Sequence, residues 1–251
     1  MSQAHVLLVD GLNLVRRIHA AQPEQPAQQF AERVSQALNK LKRGQSASHL
    51  LLVWDGDRNS WRKQLYPHYK AGRNPMPESL SNNLEMLRLH CQQAGFQSLQ
   101  APQEADDAIA SIALALRKHE ISTTIVSTDK GFSPLLDKGV KLWDHFNSKA
   151  IDAEAVEHRF QLPPKMLTQY WALAGDSGNK IPGVTGIGNK TALQLLQRYR
   201  SVKGVYQHLD ELPQGQQKKL NDGKEMARLS YQLVQLKTDL TFNLKLNQYR
   251  C

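Results

Sequence analysis

Cysteine is nearly missing from this chain. Cys91 and Cys251 are the only two in 251 residues, too few for a disulfide framework or a thiolate metal cage, so a reducing compartment is expected. Packing is the default role for Cys91. The nine histidines never fall in HExxH or another ligand spacing, which removes the zinc-hydrolase pattern and leaves each as an ordinary core or surface residue. No apolar run approaches the length of a bilayer span, and the first residues enter a strand pattern without a basic and apolar leader. A cytoplasmic chain with no membrane partner is therefore expected. Repeats and low-complexity tails are missing as well. Acid is in short supply: 23 Asp and Glu stand against 32 Lys and Arg, a net charge of +9. That balance favours a polyanionic partner, although a solvated basic surface produces the same excess.

Short, partly β-branched apolar runs occur at His5 to Asp10 (HVLLVD), His49 to Asp55 (HLLLVWD) and Ile121 to Thr128 (ISTTIVST). Each closes on a polar or acidic residue and reads as a buried strand. Val140 to Trp143 adds a candidate edge strand. Helical periodicity lies between them, over roughly Gln28 to Arg43, Leu84 to Ala94 and Glu104 to Lys118. Strands alternating with helices predict an α/β fold with a mostly parallel central sheet flanked by helices. Beyond Asp152 the strand signals stop. Helical patterns follow at Ala153 to Phe160, Pro164 to Ala174, Lys190 to Tyr199, Val202 to Leu209 and Lys224 to Leu236. The expectation is an α/β domain over residues 1–160 and a helical domain over 161–251. Tyr66 to Ser79, basic and punctuated by proline, resists regular assignment.

Pro182 to Leu196 (PGVTGIGNKTALQLL) carries the densest signal. Gly183, Gly186 and Gly188 permit tight turns and close backbone approach, and the lysine-led helix after them points unsatisfied amides outward, which is a phosphate cradle. A nucleotide P-loop is the rival reading. It fails by one residue, because Asn189 intrudes between the last glycine and Lys190, and the segment follows a helical pattern (MLTQYWALAG) where a P-loop follows a strand. No nucleotide cofactor is expected; helix, glycine turn, helix suits a nucleic-acid backbone.

Open parallel sheets bind ligands at the carboxyl ends of their strands, where Asp10, Asp55 and Asp129 fall. Glu104, Asp106 and Asp107, in the run EADD, open a helix. Capping explains one or two of these acids at roughly 0.3–1 kcal/mol each. It does not explain so many carboxylates delivered to one edge, where anions repel unless a cation lies between them. Hard oxygen donors without histidine or cysteine select Mg²⁺ or Mn²⁺. Such a metal beside a phosphate cradle implies phosphoryl chemistry, most simply phosphodiester hydrolysis. Arg62 to Arg73 (RKQLYPHYKAGR) alternates cations and aromatics, suited to gripping a single strand by phosphate contact and base stacking, or to an ordinary solvated loop.

In this order the motifs resemble the 5′-nuclease superfamily, the flap endonucleases and the 5′-nuclease domain of bacterial DNA polymerase I. VDGLN at Asp10, YKAGR at Tyr69 to Arg73, EADD, STDKGF at Asp129 and GDSGNKIPGVTGIGNKTA at Gly175 to Ala192 carry the likeness. The resemblance implies a 5′-nuclease (PIN-like) core with a flexible gateway around residues 57–80. Through it a 5′ strand would pass, lined by Tyr69, Lys70 and Arg73, with Lys70 and Arg73 on the phosphate to be cut. It also implies a helix-hairpin-helix-like module contacting duplex DNA through Gly186, Ile187, Gly188, Asn189, Lys190 and Thr191. A K⁺ ion would sit there on the carbonyls of Leu173, Ala174, Pro182, Val184 and Ile187. By the same likeness the metal ligands are Asp10, Asp55, Glu104, Asp106 and Asp129, with Asp107 and Asp176 beside a second position, and Asp10 and Asp55 join Lys70 and Arg73 as catalytic groups. Gly131 and Asn179 stand where relatives carry aspartates, so one Mg²⁺ is expected to be held firmly and a second only weakly or with substrate. The implied activity is Mg²⁺-dependent 5′-flap cleavage of branched DNA by a monomer. The alternative is a DNA-junction binder with weak or lost catalysis.

Overall fold

The computed structural model describes residues 4–251. Six strands form one sheet: β1 (His5–Asp10), β2 (His49–Trp54), β3 (Ser98–Gln100), β4 (Ser122–Val126), β5 (Lys141–Asp144) and β6 (Lys149–Ile151), in the order β3-β2-β1-β4-β5-β6. Four of the five pairings are parallel, and β6 closes the edge antiparallel to β5. The central strands β1 and β2 are buried on both faces and nearly continuously apolar, with successive residues serving opposite sides, while β4 buries Thr123 and Thr124 beside Ile125 and Val126. Leu7, Val9, Leu50, Leu52 and Trp54 join one core with α1 (Gly11–Ala21), α2 (Ala27–Gly44) and, beyond the five-residue α3 (Trp61–Leu65), α4 (Glu78–Gln93). Val6, Leu8, Leu51, Val53 and Ile125 join the opposite core with α5 (Ala105–Lys118) and the 3₁₀ segment Lys130–Lys138.

The remaining helices are α6 (Ala153–Phe160), α7 (Leu167–Ala174), α8 (Asn189–Tyr199), α9 (Val202–Gln207), α10 (Gln214–Asp222) and α11 (Lys224–Val234). They build a separate core around Trp171, Leu173, Ile187, Leu196 and Leu220. The chain does not end there. Its last residues return to the α/β layer, where Phe242, Leu244, Leu246 and Tyr249 pack on the sheet's second core and Arg250 bridges to His49.

The strands anticipated at β1, β2 and β4 form within a residue or two of their patterns. Helix α1 gave no expectation, although Leu14, Val15 and Ile18 in GLNLVRRIHAA bury one face at helical spacing. Strands β3 and β6, three residues each, are too short to show alternation.

One buried cation ties these pieces together. Arg62, only 2% exposed, donates through Nη1 to Glu104 at 2.9 Å and through Nη2 to Asp107 at 2.7 Å. Its Nε and Nη2 also reach the carbonyls of Leu233 and Gln235, at 2.9 and 2.6 Å, where the chain leaves α11 for its return to the sheet. Arg62 is therefore not the DNA-gripping cation that its place in RKQLYPHYKAGR suggests. Removing one side of a buried ion pair strands the other, at a cost of about 3–5 kcal/mol. Arg62→Met is expected to lose that much in urea unfolding, against less than about 1 kcal/mol for the exposed Lys63→Met.

Candidate active site

The strand order turns at β1: the chain builds outward through β2 and β3 on one side, then through β4 and β5 on the other. A doubly wound sheet opens a crevice at that switch, beyond the carboxyl ends of β1 and β4. Here the crevice is a cleft of about 450 Å³ lined by Asp10, Asp55, Asp106 and Asp129, with Asn13, Arg16, Arg17, Lys70, Arg73 and Thr128 around them.

Backbone geometry orients each acid. Asp10 ends β1 and caps α1, accepting from Asn13 N at 3.0 Å, while its other oxygen accepts from Ser127 Oγ at 3.0 Å. Asp55, just past β2, accepts from Ala105 N at 2.8 Å and so fixes the start of α5, whose first turn carries Asp106. Asp129 follows β4 and caps the 3₁₀ segment through Gly131 N at 2.7 Å. Capping holds the side chains in place, since each satisfies an otherwise orphaned amide.

The electrostatic cost of this convergence is visible. Burial, with Asp55 and Asp129 adding repulsion, pushes the Asp10 carboxyl up to about 7. Asp106 is pushed well above the usual carboxylate range by burial and by Asp129, Asp10 and Asp55, although Lys70 opposes the shift. Asp55 is raised too, chiefly by burial. Crowded carboxylates of this kind, without histidine or cysteine, fit a hard divalent cation, whose charge removes their repulsion. Among the described residues no three such side chains close tightly on a single point. The site is an open carboxylate-lined cleft, not a finished cage.

Lys70 is the cation already present. Its Nζ lies 3.2 Å from Glu104 and 3.9 Å from Asp106, and although burial lowers its pKa, Asp106, Tyr69 and Glu104 outweigh that and hold the ammonium protonated. Lys70 takes a left-handed backbone (φ 55°), and its amide donates to Asn179 O at 2.8 Å. Arg73 is anchored beside it, Nη2 donating to Asn179 Oδ1 at 2.5 Å and Nε to Gly178 O at 3.3 Å.

Several expected site residues lie elsewhere. Asp107 is turned away: Arg62, Trp61 Nε1 (2.8 Å) and Lys237 N (2.9 Å) occupy its oxygens, so it is a structural acid and not a metal ligand. Glu104 adjoins the cleft, lining a neighbouring groove with Asp55, Lys70 and Arg73, and its Oε2 alone accepts from Arg62, Tyr69 and Lys70; burial would raise its pKa, but Lys70 and Arg62 prevail and lower it. Tyr69 is only 4% exposed, packed with Ile181 and Leu233, and offers no face to a base. Asp176 lies next door, in a pocket that also meets Asp106 and Asp129, and its carboxylate is paired with Lys130 Nζ at 2.7 Å. Arg16, Arg17, Ser127 and Thr128 escaped sequence reasoning; recognising α1 would have placed the two arginines at the cleft.

The glycine-rich module is a helical hairpin, α7 and α8 joined by a tight crossing. Gly175 (φ 78°) and Gly183 (φ 65°) lie back to back. A Cβ on Gly183 would come within 2.6 Å of Leu173 O, and one on Gly175 within 2.6 Å of Ile181 O, so only glycine fits at either place. The backbones of Leu173, Ala174, Pro182 and Val184 are thereby gathered together, with Val184 N donating to Leu173 O at 2.8 Å and Ile187 N to Val184 O at 2.9 Å. Ile187 itself is buried in the helical core, so its side chain makes no DNA contact. Gly186, Gly188, Asn189 and Lys190 are exposed, Thr191 half-buried. Gly188 caps α8 without a side chain and no acid occupies the first turn, which leaves the helix amides open to an anion.

These features are those of one family. The chain belongs to the 5′-3′ exonuclease family: residues 5–161 match its N-terminal resolvase-like domain and residues 162–251 its C-terminal SAM fold. It is 50% identical over 245 residues to Flap endonuclease Xni of Shewanella loihica (strain ATCC BAA-1088 / PV-4), covering 97% of this chain and 96% of that one. Flap endonuclease Xni of Shewanella pealeana (strain ATCC 700345 / ANG-SQ1) is likewise 50% identical over 246 residues, with 98% and 96% covered. Among solved structures the fold is similar to T5 5′-exonuclease with bound divalent metal ions (zinc), at a TM-score of 0.80 and 23% identity over 93% of this chain and 90% of that one. The catalytic core of Rad2 in complex with DNA substrate is similar at a TM-score of 0.59 and 15% identity, covering 98% and 85%.

The raised pKa of Asp10 gives a test. Its folded-state value lies above the unfolded one of 3.8, so ionisation costs folded-state stability as the pH rises from about 4 to 7. In EDTA, Asp10→Asn is expected to melt a few degrees above wild type, a gain of about 1–2 kcal/mol at pH 8 that disappears toward pH 4. Added Mg²⁺ is expected to raise the melting temperature of wild type and leave that of the variant unmoved.

Proposed function

We propose that this chain is a structure-specific 5′-flap endonuclease that hydrolyses a phosphodiester of branched DNA with the help of Mg²⁺. The observation that carries the reading is the convergence of Asp10, Asp55, Asp106 and Asp129 at the sheet's switch point, with Lys70 and Arg73 on the same cleft. The four acids would hold one ion firmly. Asp176, already neutralised by Lys130, would touch a second only through water or substrate. These residues would hold a divalent cation that would supply activation of the attacking water and offset charge on the phosphate.

The chain's own groups supply the rest. Lys70, kept protonated by its acidic neighbours, and Arg73, steadied by Asn179, place positive charge where negative charge develops on the phosphate during attack. The open amides of α8, with Asn189 and Lys190, hold the duplex by its backbone without reading sequence. The gathered carbonyls around Gly175 and Gly183 would host a K⁺ ion facing a DNA phosphate, since rings of carbonyl dipoles replace a potassium hydration shell. Anchored phosphates on the duplex side and the carboxylate cleft on the other place the cut near the flap junction and leave a 5′-phosphate.

Cleavage of a labelled 5′-flap duplex across a Mg²⁺ titration tests the assignment. Wild type should give product only with metal, Asp129→Ala at least about 10²-fold less, and Lys70→Ala about 10²–10³-fold less at unchanged duplex affinity. Tight binding without metal-dependent product would leave a junction-binding protein. In the hairpin, replacing K⁺ by Na⁺ at constant ionic strength should weaken duplex binding. Lys190→Ala should lower affinity equally for all sequences and reduce the salt slope by about one; a sequence-dependent loss would contradict the backbone-contact role.

A further inference from the structure

A second groove, of about 390 Å³, opens from the far side of the carboxylate cleft and shares Arg17, Thr128 and Asp129 with it. No residue of the 57–80 segment lines it. Its charge leans positive: Arg17, Lys149 and Arg159 face Asp129 and Asp144, while Lys130, also in the lining, is paired with Asp176. Asp144 is itself committed, accepting from Phe146 N (2.9 Å), Asn147 N (3.1 Å) and Asn147 Nδ2 (2.6 Å). Those bonds shape the turn between β5 and β6; Phe146, in that turn, does not line the groove itself and adjoins it through Arg17, which does.

Phe146 is one of the few large apolar side chains left exposed, at 36%. The Arg17 guanidinium stacks over its ring at 4.6 Å from the centroid, and His145 meets its edge at 5.3 Å. Arg17 is also tied to the cleft, donating to Thr128 Oγ1 at 2.9 Å. An exposed aromatic ring carrying an arginine, beside a cationic groove that runs out of a phosphodiester site, has the composition of a stacking platform for single-stranded nucleic acid.

We infer that this groove is a nucleotide-stacking subsite: it takes the strand that continues from the phosphodiester in the carboxylate cleft, a base resting on the Phe146–Arg17 stack and backbone phosphates meeting Lys149 and Arg159. The inference rests on the nuclease reading for the identity of that strand. It assigns a task to charges and to an exposed ring that the hydrolysis does not use, and it makes Arg17 the link between the two sites. The subsite would fix which phosphodiester reaches the acids.

The test uses a 5′-flap duplex carrying 2-aminopurine at single positions within two nucleotides of the junction, bound in Ca²⁺ and, separately, cleaved in Mg²⁺. Wild type should quench the probe at one position. Phe146→Ala should abolish that quench, weaken binding about five- to tenfold and spread the cut over neighbouring phosphodiesters. Phe146→Tyr should restore all three, and Lys149→Gln should reduce the salt slope by about one. Product from wild type, with the same quench, affinity and cut position in Phe146→Ala, would overturn the subsite and leave the nuclease standing. Phe146-dependent quenching without any product would do the reverse.

Discussion

The structure depends on one buried guanidinium. Arg62 is the point at which the front of α5, the segment leading to Lys70 and the chain leaving α11 are fastened together. Its Nε and both terminal nitrogens have carboxylate or carbonyl partners, the condition under which a buried charge is tolerable. It divides the acids of the EADD run into two groups. Glu104 and Asp107 face Arg62 and are neutralised by it, whereas Asp106, two residues from the first and one from the second, faces the cleft and shares only Lys70. A site that must hold a cation needs uncompensated carboxylates, and it can carry them because the neighbouring acids are spent on holding the scaffold.

The same fastening links the two halves of the molecule. Tyr69 packs against Ile181 and Leu233, the Lys70 amide bonds to Asn179 O, and Arg73 bonds to the Asn179 side chain. Asn179 also donates to Asp176 Oδ2 at 2.8 Å. An amide can accept from an arginine and donate to a carboxylate at once; an ionised aspartate in its place could do only the first and would repel Asp176. The loop that differs from the 5′-nucleases this chain resembles thus has its own use. It holds Lys70 and Arg73 of the cleft in fixed relation to the glycine-rich hairpin.

Much of this was legible in the sequence. The buried strands announce themselves because burial on both faces demands unbroken apolar runs, and an aspartate at the end of such a run has nowhere to lie except at the sheet's edge. Gly175 and Gly183 are legible for a similar reason, since a close backbone crossing tolerates no side chain. Tyr69, Arg62 and Asp107 were misplaced because a residue's local pattern carries no record of its distant partner. A tyrosine among cations reads as a stacking platform until Ile181 and Leu233, more than a hundred residues away, cover it.

The sequence by itself determined the α/β core, the delivery of acids to the carboxyl ends of β1 and β2 and to the loop after β4, and the helical hairpin with its open amides, because each follows from periodicity or from the limits on one residue's backbone. Only the tertiary structure decided which acids line the cleft and which serve an arginine, which cations face the cleft, and where Phe146 comes to rest. Those outcomes are set by pairings between residues far apart in the chain, whose strength depends on burial, and burial exists only once the layers have packed.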